Sequence, residues 1–128
     1  MSFRSPLSKA KGLGSAKEGV GHWWMQRITA VALVPLCLWL VFAIALLGKA
    51  DYDTMIGWLQ RPLVSILLIL MILPLFYHAA LGIQVVAEDY LPVKWQRLLV
   101  IMVVNFICIT ASVISIFAIL KIAFGTGS

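Results

Sequence analysis

Tyr77-His78-Ala79-Ala80-Leu81-Gly82-Ile83-Gln84-Val85-Val86-Ala87-Glu88-Asp89-Tyr90 begins deep in an apolar run and ends where that run meets water. On an α-helix the eleven residues from His78 to Asp89 make about three turns, so both side chains lie on nearly one face, about 16 Å apart along the axis. An ionisable residue inside an apolar span is costly enough to mark a functional site. Gly82, one turn after His78, lacks the side chain that would hold a flat, bulky group away from the backbone. That pattern suits the edge of a haem.

The surrounding chain says what medium the run lies in. Of 128 residues, 62% are hydrophobic and the mean hydropathy is +1.03, whereas soluble domains are about 45–50% apolar. Residues 28–48, 62–87 and 98–120 carry no charge and are long enough to cross a hydrocarbon core about 30 Å thick. The expected fold is all-α, with three transmembrane helices at about 25–48, 62–87 and 95–122. A basic tail over 1–21 precedes a membrane domain over 22–128. The second span is longer than the bilayer core and must tilt or protrude.

The net charge of +5 is a topology signal and not a nucleic-acid footprint. Arg4, Lys9, Lys11, Lys17 and Arg27 lie before or at the first span, and Lys94 and Arg97 lie between the second and third. Only Lys49, Arg61 and Lys121 lie on the other side. Cytosolic loops are enriched in Lys and Arg, so the N-terminus is expected in the cytosol and the C-terminus across the membrane. A bacterial inner membrane is the expected location. A cleaved mitochondrial presequence fits the first residues less well, because arginines are few and the first span follows almost directly.

Along the chain, Trp23 and Trp24 suit the headgroup level. Arg27, one turn deeper, has two readings: it snorkels to the surface, or it pairs with a buried anion such as a haem propionate. Thr29 is expected to bond the carbonyl one turn back, and Pro35 and Pro74 to bend their helices. Residues 49–61 read as an outer loop, with Asp51 and Asp53 capping or solubilising it. His78 again has two readings, a hydrogen bond to a neighbouring helix or metal ligation. Tyr90 is either an interfacial belt residue or a ligand-facing phenol, and Glu88 and Asp89 can neutralise Lys94 and Arg97. Asn105, Thr110, Ser112 and Ser115 suit interhelical or backbone bonding in the third span. Cys37 and Cys108 read as packing residues, and without Cys-x-x-Cys-His there is no c-type haem attachment.

Arg27-Ile28-Thr29-Ala30 at the first span's entry, His78-Ala79-x-x-Gly82 in the second, and Asp89-Tyr90 beyond it together resemble the smaller of the two membrane-anchor subunits of succinate dehydrogenase. The likeness covers essentially the whole chain. It implies one half of a two-subunit anchor bundle that carries a flavoprotein and an iron–sulfur subunit, with a second membrane-anchor subunit beside it. A b-type haem would lie between the anchors, with His78 as this chain's axial ligand to its iron. Arg27, joined by His22, would face a haem propionate or the quinone-site network, and Tyr90 and Asp89 would belong to the ubiquinone site. The chain would catalyse nothing alone. An anchor of a quinol:fumarate reductase is the nearest rival, and a helical scaffold or assembly protein without redox work is the other.

Overall fold

The computed structural model describes residues 16–125. Arg4, Lys9, Lys11 and most of the expected basic tail lie outside the described residues. Among the described residues four helices follow in chain order: α1 (Ala16–Leu47), α2 (Tyr52–Leu59), α3 (Pro62–Tyr90) and α4 (Lys94–Phe124). The three long ones are apolar and long enough to cross a membrane, as expected, and no strand occurs among the described residues.

The helix ends follow from local chemistry. Pro62 opens α3 at its first turn, where its missing N–H would have had no helical partner anyway. At the other end the Leu91 N–H donates to the Ala87 carbonyl, and Pro92, with no N–H to give, stops the helix there. Both α1 and α3 run through an internal proline, Pro35 and Pro74 respectively. α1 starts at Ala16, well before the expected residue 25. No proline stands between residues 6 and 35 to end it, and its 32 residues extend about 48 Å, beyond a core of about 30 Å.

Residues 49–61 differ from their reading as an outer loop, because most of the segment is the helix α2. Asp51 caps that helix by accepting the Thr54 N–H at 2.9 Å. Hydrogen bonding by Thr54, through its side chain and then its N–H, holds the exposed Asp51 carboxyl below its usual range. Trp58 of α2 stacks on Trp39 of α1 at 5.9 Å, tying the short helix to the C-terminal part of the first span. Gln60 adds a 3.0 Å bond to the Gly125 carbonyl.

α3 packs against both α1 and α4, and it holds most of the buried apolar residues: Val64, Met71, Leu81 and Ala87. α4 buries none of its residues and exposes Met102, Phe106, Val113 and Phe117, which fall along one helical stripe. Such a surface suits lipid or another apolar helix. Ser65, only 6% exposed, donates to the Leu59 carbonyl at 2.9 Å and so closes the α2–α3 corner. Ser65→Ala is expected to lower the chain's stability in detergent by about 1 kcal/mol, the net worth of one such bond. The check is a reversible denaturation curve beside wild type.

Candidate functional site at the α1–α3 contact

His22, Gln26 and Thr29 stand at i, i+4 and i+7 of α1, so they share one helical face. That face meets α3 at His78. The His78 Nδ1 lies 3.0 Å from the Thr29 hydroxyl oxygen, and its Nε2 lies 3.4 Å from the Gln26 side-chain nitrogen. Thr29 is 5% exposed, and its hydroxyl also lies 2.7 Å from the Met25 carbonyl and 3.1 Å from that of Gln26. The expected bond to the turn behind is therefore present.

These contacts realise the hydrogen-bond reading of His78, since both ring nitrogens meet polar atoms of α1. They do not engage it equally. The Gln26 contact is long, and the Gln26 Oε1 is buried without a hydrogen-bond partner. A stranded carbonyl of this kind costs about 1–3 kcal/mol, so the amide is weakly held where it stands.

Above this layer opens a cleft of 690 Å³ whose wall includes His22, Gln26, Arg27, Gly82, Gln84 and Glu88. A side chain added at Gly82 would meet no atom within 4 Å, so the position is open beside the cleft it lines. Arg27 lies over the Trp23 ring at 5.4 Å, so a cation–π contact holds the guanidinium at the cleft wall. The Trp23 ring also meets Trp24 edge-on at 5.2 Å. Glu88 accepts a 3.0 Å bond from Gln84, one turn back on α3. A second groove, of 600 Å³, runs between α3 and α4 past Tyr77, Asn105, Cys108 and Ser112. There the Ser112 hydroxyl donates to the Cys108 carbonyl at 2.7 Å, and both cysteines are free and half-buried.

The structure thus brings His22 and Arg27 to one cleft and seats His78 directly beneath Gln26, a residue of that cleft's wall. Tyr90 is 80% exposed and Asp89 is exposed at the end of α3; neither lines the cleft. Sequence reading passed over Gln26 and Gln84. The signal for Gln26 was its placement four residues after His22 and three before Thr29. For Gln84 it was the i, i+4 pair with Glu88.

A family profile for the succinate dehydrogenase/fumarate reductase transmembrane subunit matches residues 1–112. The chain belongs to that family. It is 41% identical to the succinate dehydrogenase hydrophobic membrane anchor subunit of Rickettsia bellii, over 90% of this chain and 94% of the relative. The protein of the same name from Rickettsia conorii is 34% identical over 87% of this chain and 89% of its own length. The succinate dehydrogenase membrane anchor subunit of Reclinomonas americana is 32% identical, covering 73% and 80% respectively. As a transmembrane subunit of this family, the chain works within a larger membrane assembly, in keeping with the apolar surface that α4 leaves uncovered.

In this family member the space beside Gly82 has a direct consequence. Gly82→Ala is expected to leave the isolated chain as stable as wild type or up to about 1 kcal/mol more stable, because alanine favours the helix and meets no neighbour. A denaturation curve in detergent checks it.

Proposed function

We propose that this chain is the hydrophobic membrane-anchor subunit of a succinate:ubiquinone oxidoreductase, holding one side of a b-type haem and contributing to the ubiquinone-reduction site. The observation that carries the reading is the seat of His78: an imidazole in the middle span, bonded to Thr29 through one nitrogen and only weakly engaged by Gln26 through the other. The relatives' names support succinate dehydrogenase over fumarate reductase as the assembly.

The donor chemistry fits a haem. A neutral imidazole can give one ring nitrogen to iron while the other is tied by a hydrogen bond. The Gln26 amide contacts that second nitrogen and lines the cleft, and its stranded oxygen makes it easy to displace. His78 is the sole histidine within the uncharged runs 28–48, 62–87 and 98–120, so the other axial ligand of a six-coordinate haem would come from a second anchor subunit. The haem, when bound, supplies a one-electron site within the membrane. This chain's residues do the rest of the work assigned to them. His78 ligates, Gly82 leaves room, and Arg27, with His22 nearby on the same wall, offers positive charge to a propionate through a charge-assisted bond.

Tyr90 and Asp89 serve the quinone side of the proposal. The Tyr90 phenol stands exposed where α3 leaves the membrane, free to donate to a quinone carbonyl that gains negative charge on reduction. Asp89 beside it sets the local charge. The basic residues Arg4, Lys9, Lys11, Lys17 and Arg27 of the N-terminal part, with Lys94 and Arg97 in the first turn of α4, support a cytosolic location for this end of the bundle at a bacterial inner membrane. An iron–sulfur subunit, itself fed by a flavoprotein, would deliver electrons from that side.

His78→Ala is expected to abolish or shift the b-type signal in the dithionite-reduced-minus-oxidised spectrum of the purified complex; an unchanged spectrum overturns the ligand role. Tyr90→Phe is expected to slow succinate-to-ubiquinone electron transfer about tenfold, the equivalent of one lost hydrogen bond, while succinate-to-soluble-dye transfer stays at the wild-type rate. Equal loss of both activities would make Tyr90 an assembly residue.

A further inference from the structure

The Thr29 hydroxyl has one proton and three polar neighbours: the Met25 carbonyl at 2.7 Å, the Gln26 carbonyl at 3.1 Å and the His78 Nδ1 at 3.0 Å. The two carbonyls can only accept. If the hydroxyl gave its proton to Nδ1, its oxygen would face the Met25 oxygen at 2.7 Å with no hydrogen between them, which is repulsive. The proton therefore goes to a carbonyl, and the remaining lone pair of Thr29 accepts from Nδ1–H. A neutral imidazole protonated at Nδ1 carries its free lone pair on Nε2.

We infer that Thr29 is the positioning residue that fixes His78 in its Nδ1–H form and so makes Nε2 the nitrogen offered to iron. The inference rests on the haem reading above and adds to it which nitrogen binds and what holds it. Two features make Thr29 suited to the task. It is 5% exposed, so no water competes for its oxygen, and it lies on a different helix from His78, so the bond also fixes the ring plane relative to α1. Metal-bound imidazoles commonly donate their second N–H to an acceptor, and that donation raises the basicity of the ligating nitrogen. A more basic axial ligand stabilises the oxidised iron. The Gln26 amide, which meets Nε2 in the chain alone, must leave that nitrogen when iron takes it, and its buried, unpartnered Oε1 is consistent with a side chain poised to do so.

Two measurements test the inference. The first needs no haem: the full chain carrying 15N-labelled histidine is placed in lipid nanodiscs, and the His78 resonances, told from those of His22 by a His22→Gln sample, report which ring nitrogen bears the proton. Protonation at Nδ1 in wild type and a mixture of both forms in Thr29→Val is the expected result; protonation at Nε2 in wild type overturns the inference. The second uses the purified complex, with haem potential and content read for wild type, Thr29→Val and Thr29→Ser. Thr29→Val is expected to keep the haem and shift its midpoint potential upward, and Thr29→Ser, which restores the hydroxyl, to return it to wild type. An unchanged potential in Thr29→Val, or an equal shift in both variants, overturns the positioning role. A Thr29→Val complex that fails to assemble leaves the nanodisc result and the Thr29→Ser potential to decide. Loss of the haem reading itself has a different signature, a b-type spectrum that survives His78→Ala.

Discussion

An imidazole placed in the middle of a membrane span needs polar company, and the need is met here by a single face of α1. Water is absent at that depth, so an unbonded ring nitrogen would cost a large fraction of a marginal stability. Thr29 and Gln26 answer it from across the α1–α3 contact. The contact therefore sets more than a local hydrogen bond. It fixes the register of α1 against α3, and with it the positions of His22, about two turns from Thr29, and Arg27, about half a turn from it, at the cleft.

The same contact separates two kinds of satisfaction. The Thr29 hydroxyl is fully used, its proton on a carbonyl and its lone pair on the ring, all within 3.1 Å. The Gln26 amide is half used, with its oxygen stranded. A side chain in that state loses little on leaving, whereas breaking the Thr29 arrangement would strand two buried groups at once. The rigid half of the seat suits a ligand's fixed orientation. The loose half suits the arrival of something that takes the second nitrogen.

Outside that seat the bundle is unfinished by the standards of a soluble protein. α3 lies between α1 and α4, and α4 has no buried residue. Lipid can cover such a surface without cost, because its tails are as apolar as the side chains they meet. A partner helix can cover it too. The family is one of transmembrane subunits, and on the proposed haem reading His78 would offer iron one bond of the two a six-coordinate haem requires. The uncovered helix and that proposed ligand role thus agree in calling for a second chain.

Much of this was legible in the sequence because a bilayer leaves a chain few choices. Uncharged runs of more than twenty residues have only the helix to hide their backbone in, so the three spans, the stop at Pro92 and the exceptional status of His78 followed from residue order alone. The helix over residues 52–59 was not legible, since eight residues give too little periodicity and its anchor, the stack of Trp58 on Trp39, joins positions far apart in the chain. Nor was the early start of α1, where no residue marks a boundary. Gln26 looked like an ordinary polar residue at a span's mouth. Only the packing of α1 on α3 brought it to one ring nitrogen and Thr29 to the other, because composition can state that an imidazole lies in the membrane, while the choice of which of its nitrogens is tied depends on atoms 49 and 52 positions away.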